Sequence, residues 1–154
     1  MLHKLERIQI INSGIKTVWR FFSDPKNLNE ITPPDMNFEI ITKNLPEEIY
    51  PGLIIKYKVS PFAGIKSNWV TEIKHVIPEK LFVDEQIFGP YKFWHHLHLF
   101  EEIEKNKIRM TDRVYYKLPI ILIGEIVHSL IIQKRLKEIF DYRYKKIDEL
   151  FNKS

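Results

Sequence analysis

Two histidines, His96 and His98, stand two positions apart in a run over 91–103 whose polarity alternates. Asp112 holds the matching phase of the next alternating run, 108–116. On a strand, side chains at i and i+2 share a face. Trp94, His96, His98 and Phe100 therefore form one face, and Ile108, Met110, Asp112, Val114 and Tyr116 another. The odd positions of the second run, Arg109, Thr111, Arg113 and Tyr115, are the wetter set, so its even set reads as inward-facing. A hairpin about Lys105-Asn106 with even-to-even pairing sets Phe100 near Met110, His98 near Asp112 and His96 near Val114. A one-residue slip would expose the other set, and Leu97 and Leu99 on the opposite parity keep that register open. An aspartate beside an imidazole can work as a general acid–base pair. Two imidazoles and one carboxylate can also make a three-ligand metal site.

Other polar residues converge on the same face. A turn at Pro78-Glu79 pairs the odd positions of 67–77 with the even ones of 81–88. Trp69, Thr71 and Ile73 then share a side with Phe82, Asp84, Gln86 and Phe88. Arg143 falls at the centre of an apolar helical stripe of Leu136, Ile139, Phe140 and Ile147. A buried guanidinium demands a carboxylate or several carbonyls, and Asp84 and Asp112 are the candidates. Each such group must be hydrogen-bonded or wet, because an unpaired buried polar group costs roughly 1–3 kcal/mol. Two readings stay open: a satisfied internal network, or the lining of a ligand cavity. His95 points to the opposite face, and no outer-shell pattern accompanies the two histidines and one aspartate, so neither metal nor cofactor is expected. No nucleophile or oxyanion-hole signature accompanies the His98–Asp112 pair.

The elements that must position these residues follow from periodicity. Leu5–Ile11 reads as a first strand, and Asn12-Ser13 as the start of a short amphipathic helix carrying Val18, Phe21 and Phe22. Asp24-Pro25 ends that helix or caps a second one, which Pro33-Pro34 stops. Six further strands read over 38–42, 53–59, 67–77, 81–88, 91–103 and 108–116, joined by short connectors that imply antiparallel hairpins. A long final helix follows Gly124. The expected fold class is α+β, a curved seven-stranded antiparallel sheet gripping the C-terminal helix, with two short helices after the first strand. One helix does not fill so wide a sheet, which makes a cavity between them a reasonable expectation.

Composition narrows the classes. The chain has 154 residues, suited to a single domain over 1–154. Zero cysteines exclude a disulfide framework, a thiol nucleophile and cysteine-based metal sites. An apolar share of 44% and an aromatic share of 13% exclude disorder. Lys and Arg number 24 against 20 Asp and Glu, a net +4. Seven of these cations and four acids lie within 133–154, an interleaved pattern that reads as a solvated helix face and argues against nucleic-acid binding. Only five glycines occur, so no phosphate-cradling loop is present. The charged N-terminus shows no signal peptide, and a cytoplasmic location is expected. The greasiest stretch, 118–132, is broken by Pro119, Gly124, Glu125 and His128, so stable membrane insertion is not expected.

The run 82–100, with its Gly89-Pro90-Tyr91 and Trp94-His95-His96-Leu97-His98-Leu99-Phe100 strings, resembles bacterial ligand-binding SRPBCC proteins of the START-like, helix-grip superfamily. These are often described as polyketide cyclase/dehydrase-like, or as cell-division-inhibitor-like. Further matches are Asp24-Pro25 with Asn27-Leu28, Ile31-Thr32-Pro33-Pro34, Trp69-Val70-Thr71-Glu72-Ile73, 110–116 and 139–143, so the resemblance runs from about residue 5 to 148. Trp94, His96, His98, Asp112 and Tyr116 match motif positions of the group. The segment 118–130 departs from it, being more apolar where relatives tend to be glycine-richer. The resemblance implies an internal hydrophobic cavity; it does not specify chemistry, because fold does not determine function.

Together these readings predict a binder of a small hydrophobic or amphipathic molecule. Trp69, Phe82, Trp94, Phe100 and Met110 would make apolar contact, and Asp84, Gln86, His96, His98, Asp112, Tyr116 and Arg143 polar anchors. Two alternatives stand beside it. One is a cyclase or dehydratase using His98 as acid–base, oriented by Asp112. The other is a protein- or membrane-interaction module with peripheral contact through Ile120–Ile123 and the basic final helix.

Overall fold

Strand β1 (His3–Ile11) leads into helix α1 (Ile15–Ser23), two 3-10 turns (Pro25–Asn29 and Pro34–Met36) and a two-residue strand β2 (Glu39–Ile40). Strands β3 (Ile54–Phe62), β4 (Ile65–Ile77), β5 (Leu81–Phe88), β6 (Phe93–Glu104) and β7 (Lys107–Lys117) follow, and helix α2 (Glu125–Phe151) closes the chain. The computed structural model describes residues 1–62, 65–118 and 125–153. The Ile120–Ile123 patch lies outside them. Among the described residues no helix is long and apolar enough to cross a membrane.

All seven strands form one antiparallel sheet in the order β1-β7-β6-β5-β4-β3-β2. Register shifts interrupt β3–β4, β4–β5 and β6–β7. Such irregularities bend a strand and raise its twist, which suits a sheet curved around a helix. Helix α2 turns Ile132, Leu136, Phe140, Arg143 and Ile147 inward, each buried. That spacing of three and four residues is one helical face. Burying each apolar member stabilises by roughly 1.5–3 kcal/mol, so this face anchors the helix. It is also tied to the sheet at two points. Asn152 Nδ2 donates to the Ile10 carbonyl at 2.9 Å, and Arg135 Nε to the Pro61 carbonyl at 3.2 Å.

The expected architecture is present, with local differences. The two short helices are one α-helix and two 3-10 turns. Gly14, not Asn12 or Ser13, is the N-cap of α1, without a side-chain cap. Asp24 does cap the next turn, its Oδ1 accepting from the Lys26 N–H at 2.9 Å. Phe88, expected on the inner face, is 61% exposed. The register shift between Val70 and Thr71 pairs it with Val70 and breaks the simple alternation.

Candidate functional site

The β6–β7 hairpin pairs His96 with Val114, His98 with Asp112 and Phe100 with Met110. This is the even-to-even register. The β5–β6 pairing then sets Asp84 beside His96 and Phe82 beside His98. Four consecutive inward positions on two strands therefore meet Asp112 from the third and Arg143 from α2.

The resulting cluster is a chain of buried polar groups. Arg143 Nε donates to Asp112 Oδ2 at 3.0 Å, and its Nη2 reaches Asp112 Oδ1 at 3.4 Å. Asp112 Oδ1 also lies 3.1 Å from His96 Nε2 and 2.8 Å from His98 Nδ1. Arg143 Nη2 is 3.2 Å from the same His98 nitrogen. The opposite ring nitrogens converge on Asp84 Oδ2, at 2.9 Å from His98 Nε2 and 3.5 Å from His96 Nδ1. The two imidazole centroids are 3.7 Å apart, and Phe82 stacks on His98 at 4.0 Å.

Burial opposes ionisation of Asp112, but the Arg143 charge and the hydrogen bonds from His96 and His98 hold its carboxyl well below the usual carboxylate range. Burial likewise works against the charged form of Asp84, and the His98 hydrogen bond with the neighbouring cations outweighs it, lowering that carboxyl. His96 is pushed down to about 4, first by burial and then by its neighbour His98, against the pull of Asp112. It is thus neutral near pH 7.

A cavity of about 180 Å3 opens between the sheet and α2 beside this cluster. Its lining includes Ile55, Val59, Ile73 and Phe82 from the sheet, Phe21 and Phe22 from α1, Leu28 and Ile31 from the turns, and Leu136, Ile139 and Phe140 from α2. Trp69, Trp94, Asp84, His96, His98 and Arg143 complete it. Seven of the twelve sequence-predicted residues therefore line one space. The other five stand apart from it. Asp112 lies behind the histidines. Phe100 and Met110 belong to the core beside α1, with Trp19 and Phe22. Tyr116 stacks on His3 at 5.3 Å, within a second core below α2. Gln86 clamps the β5–β6 connection, donating from Nε2 to the Tyr91 carbonyl at 2.6 Å and accepting the Tyr91 N–H at 3.2 Å. It folds over Gly89, where a Cβ would lie 2.5 Å from its Oε1.

Sequence reasoning missed Tyr57, and set Thr71 on the inner face without counting it in the site; their hydroxyls bond to each other inside the lining, Tyr57 donating. Burial raises the Tyr57 phenol, keeping it protonated. The signal was available: Tyr57 holds the same phase of β3 as the buried Ile55 and Val59. Trp69, another lining residue, leaves its buried indole Nε1–H without a partner among the described residues.

No family model matches the chain, and no curated protein matches it. Solved structures do. The Zhui aromatase/cyclase from Streptomyces superposes with a TM-score of 0.75 at 12% identity, covering 96% of this chain and 92% of that one. A START superfamily protein from Mycobacterium smegmatis gives 0.69 at 9%, covering 96% and 99%. Norcoclaurine synthase from Thalictrum flavum, in complex with dopamine and hydroxybenzaldehyde, gives 0.64 at 18%, covering 100% and 90%. Likeness over nearly whole chains at such low identity speaks to architecture alone, and the architecture of this chain is the START-like helix-grip fold.

Proposed function

We propose that the chain binds a small, mostly apolar molecule about one aromatic ring in size, carrying one or two polar groups, between the sheet and α2. The supporting observation is the pairing of an apolar cavity with a few fixed polar atoms. Apolar burial supplies affinity, and placed polar groups supply orientation. A cavity of 180 Å3 sets the size, since an apolar void of roughly 150 Å3 takes up benzene. Trp69, Phe82 and Trp94 would make apolar contact; Asp84, His96, His98 and Arg143 would orient the polar end. Phe100, Met110, Gln86, Asp112 and Tyr116 would act through the residues they support.

The test is native mass spectrometry of the chain purified from its own host. A retained organic mass, absent from the cavity-filling variant Ile139→Trp, is the expected result. A bare chain in the wild-type spectrum would overturn the reading.

An enzymatic reading is favoured by one observation: His98 lines the cavity and holds a carboxylate at each ring nitrogen. Such a histidine can move a proton on a bound substrate. His98→Ala would then abolish turnover while sparing binding, and unchanged turnover would reject it.

A further inference from the structure

His96 and His98 turn one nitrogen each toward Asp84 and the other toward Asp112. We propose that Asp84, His96 and His98 hold a divalent transition-metal ion of the Zn2+ or Fe2+ class, with Asp112 as the outer carboxylate that orients both imidazoles.

The geometry carries the assignment. The three residues each offer a ligand atom, all within 4.8 Å of one another. Asp84 Oδ2 lies 2.9 Å from His98 Nε2 and 3.5 Å from His96 Nδ1. An ion bound at about 2.0–2.1 Å in tetrahedral geometry separates its ligands by about 3.3 Å. The two Asp84 edges bracket that value, and the third, between the imidazole nitrogens, lies within 4.8 Å.

The outer shell is what sequence alone did not reveal. A metal-bound imidazole normally donates its other N–H to a carboxylate or carbonyl, which fixes the tautomer. Here Asp112 Oδ1 serves both rings, 3.1 Å from His96 Nε2 and 2.8 Å from His98 Nδ1. With both N–H groups turned to Asp112, the metal-bound form would present the His96 Nδ1 and His98 Nε2 lone pairs to the ion, in exchange for the 2.9 Å hydrogen bond that joins His98 Nε2 to Asp84 in the metal-free chain. Arg143 in turn grips Asp112 from α2. Its cation offsets the charge of the outer carboxylate, and its Nη2 lies 3.2 Å from His98 Nδ1, a contact that metal-bound His98 would give up to Asp112. Two imidazoles and one carboxylate suit borderline transition ions over Mg2+, which prefers six oxygens. All three ligand residues also line the cavity, so the remaining coordination positions are open to a small molecule.

The proposal stands apart from the small-molecule reading, because metal uptake is read without an organic ligand. Chelator-stripped full-length protein is titrated with Zn2+ by calorimetry, with Co2+ by visible absorption, and with Mg2+. One Zn2+ or one Co2+ per chain is expected, with cobalt d–d bands of a low-symmetry site and no Mg2+ uptake. Asp84→Asn should weaken Zn2+ by more than about a hundredfold, and Asp112→Asn by about ten- to a hundredfold while leaving the cobalt bands in place. His95→Gln, on the outer face, should leave affinity unchanged. If Asp84→Asn does not fold, Co2+-induced paramagnetic shifts of the His96 and His98 ring protons in the wild type give the answer. Absence of uptake, binding that survives in folded Asp84→Asn, cobalt shifts that spare both rings, or loss of binding in His95→Gln would each overturn the proposal.

Discussion

Strand β6 carries histidine–carboxylate pairs on both faces, and they live in different physical regimes. Outside, His95 Nδ1 meets Glu85 Oε1 at 2.8 Å, with both side chains about one-third exposed at 33% and 34%. Inside, His96 and His98 meet Asp84 and Asp112 at similar distances, but the two histidines and Asp112 are 5–7% exposed. The outer pair can exchange its partner for water, so it is worth little. The inner groups have lost their water, and each depends on the next. The same residue types one position apart thus make a decoration on one face and an obligatory network on the other.

Removing one end of the inner network should have the largest effect. Asp112→Ala strands the Arg143 guanidinium and should cost about 3–5 kcal/mol in urea unfolding. The double variant Asp112→Leu with Arg143→Met should recover most of that loss, because apolar replacement of a whole buried pair is often neutral. A double variant as weak as the single one would mean that the charges themselves stabilise the fold.

Acid should break the comparison next. In chelator-treated protein, the unfolded chain protonates His96 near pH 6.5, whereas the folded chain refuses that proton until about 4. The unfolded state therefore binds more protons in this window, and stability falls as pH drops through it, by about 3 kcal/mol in total. The lowered Asp84 and Asp112 extend the loss below the usual carboxylate range. His96→Gln should flatten the profile between pH 6.5 and 4; an unchanged profile would place the acid sensitivity elsewhere.

Gln86→Ala removes two hydrogen bonds to the Tyr91 backbone and should cost about 1–2 kcal/mol in the same unfolding assay. Glu85→Gln, on the outer face, should cost about 0.2–1 kcal/mol and less at high salt. An outer effect as large as that of Asp112→Ala would erase the contrast between the faces.

Most of the fold was legible because alternation and turn residues mark each hairpin, and the even phase of β6 and β7 led to the His98–Asp112 pairing. Arg143 was legible as a cation in an apolar stripe, and Asp112 as one of its two candidate partners. What stayed hidden was set by tertiary geometry. The Asp84–His96 register depends on the 89–92 connection, which Gln86 holds by reaching back over Gly89. Register shifts in β4–β5 put Phe88 outside, and no local propensity encodes them. Phe100, Met110 and Tyr116 share the inner parity of the site but stand beyond the cavity, because parity assigns a face and not a depth. The segment after α1 is too short for cooperative helix formation, so it takes 3-10 turns.

The central claim is that a ring-sized molecule enters beside the buried cluster. Methyl NMR during titration with p-cresol tests it most directly. The account predicts saturable shifts at Ile55, Ile73, Leu136 and Ile139, with the exposed Ile8 and Ile87 unmoved. Unchanged cavity methyls at saturating p-cresol, or shifts confined to the surface isoleucines, would contradict it.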